Sequence, residues 1–146
     1  MTPSRARLRR FVLDANALIS LLENRIDAAT RVRSLIEEAS RNQLPILLSA
    51  VNWGEVFYIA WRLHGEAQAR EAETKLRQLP IVVMAADLDR ATRAAALKQE
   101  HNLGYADAFA VELAIERGAW LVTANTEFAK LGKVLPLYPL PRHERA

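Results

Sequence analysis

Residues 11–22 read FVLDANALISLL, in which an apolar run from Phe11 to Leu13 ends at Asp14 and a helical pattern follows at once. Such a run is typical of a short buried strand in an α/β protein. Asp14 then lies at the carboxyl end of that strand, where open α/β sheets bind their ligands. Because a buried carboxylate is costly unless a cation or hydrogen-bond donors compensate it, Asp14 is a candidate functional residue.

The rest of the chain alternates short apolar runs with helical stretches. Further strands are predicted at residues 46–50, 81–84, 120–123 and 134–137. The run IVVM, residues 81–84, has the β-branched composition of a buried strand. Ser49 and Asp87 are predicted to cap the helices that follow them. This alternation predicts a three-layer α/β/α domain with a mainly parallel central sheet, covered on both faces.

We expect one domain over residues 1–146, with its core over about residues 10–138. A basic N-terminal tail precedes the core, and a loose proline-rich tail with Pro139 and Pro141 follows it. The arginines of the basic tail either contact phosphate or are simply solvated; they are Arg5, Arg7, Arg9 and Arg10. The formal net charge of +3 permits nucleic-acid binding but does not require it.

Composition excludes several kinds of protein and site. Hydrophobic residues make up 51% of the chain and charged residues 25%, which indicates a folded globular protein. The absence of cysteine excludes disulfides, zinc–thiolate sites and cysteine nucleophiles, and the 3 histidines lack metal-site spacing. No apolar run is long enough to span a bilayer, and Asp14 and Asn16 interrupt the one stretch that resembles a signal peptide. We therefore expect a cytoplasmic protein without a membrane partner.

Two more acids are embedded in apolar helical stretches, Glu55 in NWGEVFYIAW and Asp107 in GYADAFAVELAI. Helical periodicity places Asp107 on the packed stripe of its helix, whereas Glu112 and Glu116 are predicted to point toward solvent. The structural alternative for Asp107 is an acid of the first helical turn that the helix dipole favours. For Glu55 the alternative is a surface pair with Arg62, and for Asp14 it is a cap of the next helix.

The three acids gain weight when they are considered together, because the predicted fold brings them near the same edge of the sheet. Oxygen ligands without histidine or cysteine select a hard cation, Mg²⁺ or Mn²⁺. Such an ion suits hydrolysis of a phosphodiester by a metal-activated water.

Four segments resemble the PIN-domain family, and most of all the VapC-type toxins of toxin–antitoxin operons. They are FVLDANALISLL, LLSAVNWGEVFYIAW, NLGYADAFAVELA and LVTANTEFAKL, and the resemblance runs from Phe11 to about Leu137. The resemblance implies a Mg²⁺- or Mn²⁺-dependent endoribonuclease that acts on RNA as a toxin. It also implies a homodimer and a cognate antitoxin, for which Ile19–Leu22 and Trp53–Trp61 are candidate contact surfaces.

The resemblance also assigns roles to individual residues. The metal-binding acids are Asp14, Glu55 and Asp107, the catalytic set adds Asn125, and the supporting residues are Asn16, Thr123 and Glu127. Asn125 departs from the family, which usually carries an acid at this position. The alternative function is therefore an RNA-binding PIN module with weak or no nuclease activity, unless Glu127 replaces the missing acid. A phosphatase with Asp14 as nucleophile is disfavoured, because Asn16 stands where haloacid-dehalogenase-type enzymes need a second Asp.

Overall fold

Five short parallel strands form the centre of the molecule, and helices pack on both faces of the sheet. The structure, a computed structural model, describes residues 8–142. The strands are β1 (Phe11–Leu13), β2 (Ile46–Ser49), β3 (Ile81–Met84), β4 (Trp120–Thr123) and β5 (Leu137–Pro139). The helices are α1 (Ala15–Leu22), α2 (Ile26–Asn42), α3 (Ala50–His64), α4 (Glu66–Gln78), α5 (Leu88–His101) and α6 (Tyr105–Glu116), and a 3₁₀-helix covers Thr126–Leu131. The strand order is β3-β2-β1-β4-β5 with every pair parallel, which confirms the predicted three-layer α/β/α fold.

The middle strand, β1, is fully buried, as its apolar sequence predicts. Val12 pairs with Leu47 of β2 on one side and with Leu121 of β4 on the other. Because side chains alternate along a strand, Phe11 and Leu13 join the apolar cluster under α1 and α2, while Val12 joins a second cluster under α6. Burial on both faces explains why the strands are continuous apolar runs.

Short polar side chains start the helices that leave the sheet. Ser49 Oγ accepts a hydrogen bond from the Val51 N–H at 3.2 Å, and Asp87 Oδ1 accepts one from the Arg90 N–H at 2.9 Å. Both predicted caps are therefore confirmed. Within residues 8–142, no helix combines the length and the apolar character needed to cross a membrane.

The two edge strands differ from what the sequence predicts. The prediction of a buried β3 is wrong, because β3 pairs only with β2 and leaves Val82 and Val83 43% and 42% exposed. β5 begins later than predicted, at Leu137, and contains Pro139, which the sequence assigns to the loose tail. Proline is tolerated there because β5 is the opposite edge of the sheet and needs hydrogen bonds on one side only. Leu140 is buried, so this part of the tail is anchored.

Arg9, in the basic N-terminal segment, has a structural role. It donates two hydrogen bonds to the Glu38 carboxylate, at 2.7 and 3.2 Å, and its guanidinium lies 5.2 Å from the centre of the Phe11 ring. These contacts tie the start of β1 to α2. The predicted phosphate contacts of Arg5 and Arg7 fall outside the described residues.

Candidate metal centre

Asp14 lies between β1 and α1 and is only 2% exposed. Its backbone N–H donates to the Val122 carbonyl of β4 at 3.2 Å, and its Oδ1 accepts from the Ala17 N–H at 2.8 Å. The capping role considered as an alternative is therefore confirmed. It does not explain the charge, because the neutral Ser49 caps α3 in the same way.

Asp14 also belongs to a group of acids that repel one another. Burial raises the pKa of Asp14 to about 7; hydrogen bonds from the Thr123 hydroxyl and the Ala17 N–H oppose the shift, and the charges of Asp107 and Glu55 increase it. Because such repulsions weaken with distance, the three carboxylates are within range of one another's charge at this edge of the sheet. The charges of Asp107 and Glu55 act on Asp14, and that of Asp107 acts on Glu55, so the three predicted acids influence one another; that they form one metal site stays a prediction.

Glu55 projects from α3 and is partly buried, with one oxygen, Oε2, enclosed and without a hydrogen-bond partner. Burial raises the pKa of Glu55, and repulsion from Asp107 raises it further. The alternative of a surface pair with Arg62 is wrong. Arg62 instead stacks its guanidinium over the Tyr58 ring, 5.6 Å from the ring centre.

Asp107 lies in the first turn of α6, and its carboxylate folds back over the start of that helix. A Cβ at Gly104 would stand 3.2 Å from Asp107 Oδ2, so the glycine leaves the space that this orientation needs. Burial raises the pKa of Asp107, and the charge of Glu127 adds to the shift. Glu127 is therefore a fourth acid close to the group, on the 3₁₀-helix.

The remaining predicted residues divide between the site and the scaffold. Thr123 is buried at the end of β4, where its hydroxyl bonds to Asp14 and accepts a hydrogen bond from the Asn125 N–H at 2.9 Å. Asn125 caps the 3₁₀-helix, since its Oδ1 accepts from the Glu127 N–H at 3.0 Å. Asn16 is exposed on the first turn of α1. The structure thus brings Thr123 and Glu127 to the acids and gives the Asn125 side chain a capping contact.

The prediction that Glu112 points toward solvent is wrong. It is 2% exposed, not solvated, and it lies between α5 and α6. Arg90 and Arg93 of α5 bind its carboxylate, at 3.2 and 2.9 Å. The predicted exposure of Glu112 is wrong because α5 covers the side of α6 that helical periodicity assigns to solvent. Glu116 is exposed, as predicted.

The sequence reasoning also missed Asn52, which is 0% exposed on α3 and close to Glu55. Its Nδ2 donates to the Ala106 carbonyl in the first turn of α6 at 3.0 Å, while its Oδ1 is buried without a partner. The sequence marks Asn52 in the same way as the acids, because it is a polar residue in an apolar helical stretch.

The donor set fits a hard divalent cation. Among the ion pairs of residues 8–142, none involves Asp14, Glu55 or Asp107. Two enclosed oxygens, Glu55 Oε2 and Asn52 Oδ1, have no donor. In the same range, no three Asp, Glu, His or Cys side chains already stand close enough to enclose an ion. An ion here would bind one or two carboxylates directly and the others through water, a common arrangement for Mg²⁺.

Comparison with known protein families identifies the family of this chain. The family model described as PIN domain matches residues 11–134, which include all the candidate site residues. The chain belongs to the PIN-domain family. No match is found among curated proteins.

Several solved structures share this fold. A toxin–antitoxin complex from Klebsiella pneumoniae is 28% identical, with a TM-score of 0.59 over 81% of this chain and 89% of that chain. VapBC2 from Rickettsia felis, bound to a promoter DNA fragment, has a TM-score of 0.70 at 16% identity over 90% of this chain and 99% of that chain. VapC20 from Mycobacterium tuberculosis, a sarcin–ricin loop cleaving toxin, has a TM-score of 0.64 at 16% identity over 84% of this chain and 95% of that chain. The last two likenesses show the shared fold of this PIN domain.

Proposed function

We propose that this PIN-domain protein is a Mg²⁺- or Mn²⁺-dependent endoribonuclease, the toxin of a cytoplasmic toxin–antitoxin pair. The observation that carries the proposal is the group formed by Asp14, Glu55 and Asp107. Burial raises the pKa of each of these carboxylates, and the negative charge of neighbouring acids raises it further. No basic side chain of the described residues forms an ion pair with them. Holding uncompensated carboxylates together in a partly buried place costs folding free energy. Such a cost is expected where the acids bind a cation.

The proposed mechanism assigns a task to each side chain. Asp14 and Asp107 hold the ion, directly or through water, and Glu55 completes the site from α3. The Thr123 hydroxyl donates to the Asp14 carboxylate and fixes its orientation. When bound, the ion supplies positive charge at the scissile phosphate and lowers the pKa of the attacking water. Glu127, beside Asp107, contributes the negative charge that Asn125 does not bring.

RNA would approach along the exposed side of α3 that leads away from Glu55. Tyr58 is 61% exposed there, and Arg62 stacks on its ring without an acidic partner in the described part of the chain. An aromatic face next to a guanidinium suits a stacked base and a phosphate. Arginine contacts to phosphate also predict that affinity for RNA falls as salt rises.

The proposal includes two protein partners, a cognate antitoxin and a second copy of this chain. The similar solved structures from Rickettsia felis and Klebsiella pneumoniae are described as a VapBC protein and a toxin–antitoxin complex. A shallow apolar groove between α1, α3 and α4 offers a surface for an antitoxin segment; it is lined by Ile19, Leu22, Val56 and Ile59 among others. Light scattering of the purified protein, alone and with the neighbouring small gene product, tests both partners.

The second candidate function is an RNA-binding PIN module without useful catalysis, and Asn125 favours it. An amide at this position reduces the negative charge of the site, which weakens ion binding. The module would bind RNA equally well in Mg²⁺ and in EDTA and would leave it intact.

One assay separates these functions and tests the first. Purified protein is incubated with structured RNA in Mg²⁺ or EDTA, and cleavage is followed on denaturing gels. We expect cleavage in Mg²⁺ only, and a fall of at least roughly 100-fold in Asp107→Asn. The matched control is Glu116→Gln, which removes one charge from the exposed side of the same helix and should keep wild-type activity. Full activity in Asp107→Asn would contradict the mechanism.

A further inference from the structure

Asn52 is a buried amide on α3, next to the candidate site. It is 0% exposed and lies one helical turn before Glu55, so that both side chains project from neighbouring positions on α3. A buried amide has four hydrogen-bonding positions to satisfy, two donors on nitrogen and two lone pairs on oxygen. The groups around the Asn52 amide must therefore include acceptors for its nitrogen and donors for its oxygen.

The hydrogen bond of Asn52 joins the two helices that carry Glu55 and Asp107. Its Nδ2 donates to the Ala106 carbonyl at 3.0 Å, and Ala106 directly precedes Asp107 in the first turn of α6. A carbonyl oxygen only accepts, so the nitrogen of the amide must face Ala106 and the oxygen must face away from it. The orientation of the amide is therefore fixed, and with it the spacing between Glu55 and Asp107.

The other end of the amide lacks a donor. Asn52 Oδ1 is enclosed and has no hydrogen-bond partner, and the same holds for Oε2 of Glu55. Buried acceptors are nearly always bonded, and two acceptors cannot satisfy each other without a shared hydrogen. A hydrated cation presents water O–H groups outward, so it supplies the donors that both oxygens need.

We propose that Asn52 is a positioning residue of the metal site, whose Nδ2 fixes the spacing of Glu55 and Asp107 and whose Oδ1 accepts a hydrogen bond from a water of the hydrated ion. The inference rests on the proposed function for the presence of an ion, but not on RNA as the substrate. Asn52 acts through its neighbours and does not itself bind the ion.

The test compares ion binding in two Asn52 variants. Asn52→Leu keeps the size of the side chain and removes both donor and acceptor, whereas Asn52→Ser stays polar but is too short to reach Ala106. We expect calorimetric titration of metal-free protein to show Mg²⁺ binding weakened roughly 10–100-fold in both. In the RNA assay kcat should fall while KM for RNA stays unchanged, because Asn52 does not contact the substrate.

The matched control is Ser49→Ala. It removes the cap of the same helix, which destabilises α3, but it leaves the bridge to α6 intact. Its Mg²⁺ affinity should stay within about twofold of the wild type, because it changes neither the Asn52–Ala106 hydrogen bond nor the free Oδ1 of Asn52. Hydrogen exchange in the metal-free proteins should be faster at residues 105–108 in the Asn52 variants and unchanged there in Ser49→Ala.

Two outcomes would overturn the inference. One is wild-type Mg²⁺ affinity in Asn52→Leu or Asn52→Ser, which would make Asn52 a structural bridge only. The other is no Mg²⁺ binding by the wild-type protein. If Asn52→Leu does not fold, Asn52→Ser decides. Weakened ion binding in the Asn52 variants of a protein that cuts no RNA would support the inference and overturn the proposed ribonuclease function alone.

Discussion

Helix α6 carries a buried acid, Glu112, and a half-buried one, Asp107, and their surroundings differ. Glu112 is 2% exposed and is held by Arg90 and Arg93, so its charge is compensated within the fold. Burial raises the pKa of Asp107 on the same helix, and the negative charge of Glu127 raises it further. Burial alone therefore does not distinguish a functional acid from a structural one. The distinction lies in whether the chain supplies the opposite charge.

The largest change in stability is expected at Glu112. Glu112→Gln should lower the free energy of unfolding by about 3 kcal/mol, because the buried Arg90 loses its counter-charge. Urea denaturation at pH 7 measures the change. Glu116→Gln is the matched control, and it should cost less than about 1 kcal/mol since that pair is partly solvated. Equal effects of the two substitutions would refute the structural role of Glu112.

Removing the charge of Asp14 should raise the free energy of unfolding, whereas removing that of Glu112 lowers it. Asp14→Asn keeps an oxygen for the Ala17 N–H and removes a buried charge, so it should stabilise the metal-free protein at pH 8 by about 1–3 kcal/mol. Thermal unfolding in EDTA measures this difference. A destabilised Asp14→Asn variant would mean that the charge is already compensated in the free protein.

The effect at Asp14 has a defined pH dependence. Its pKa is about 7 in the folded protein and 3.8 ordinarily, so well below pH 3.8 both states hold the proton and the charge has no effect. Between these values the unfolded chain releases the proton first, and wild-type stability falls as pH rises. The advantage of Asp14→Asn should therefore be absent at about pH 3, grow between the two pKa values and be complete above about pH 7. An advantage that is independent of pH would exclude Asp14 as its source.

The smallest effect is expected at the position where the family usually has an acid. Asn125→Asp should tighten Mg²⁺ binding by roughly fivefold, on the order of 1 kcal/mol, and Glu127→Gln should weaken it by a similar factor. Calorimetric titration at pH 8 measures both. If only Glu127→Gln changes the affinity, Glu127 alone replaces the missing acid and Asn125 serves only as a cap.

The fold and the convergence of Asp14, Glu55 and Asp107 were predictable from the sequence. Apolar strand runs predict the fold, and the rule that ligands bind at the carboxyl ends of parallel strands, together with the PIN-domain resemblance, groups the acids. The place of Glu112 was not predictable, because periodicity along α6 carries no information that α5 covers its outer side. The exposure of Val82 and Val83 likewise depends on strand order, which a local pattern does not encode. Asn52 was overlooked because an amide gives a weaker burial signal than a charge.

The central claim is that the three unpaired acids share a divalent ion, whereas Glu112 does not take part. Calorimetric titration of Mg²⁺ into metal-free protein at pH 8 tests it most directly, with wild type, Asp107→Asn and Glu112→Gln compared below their unfolding temperatures. The account predicts saturable binding in wild type and in Glu112→Gln, and binding at least roughly 10-fold weaker in Asp107→Asn. Equal affinity in all three proteins, or no binding by the wild type, would contradict it.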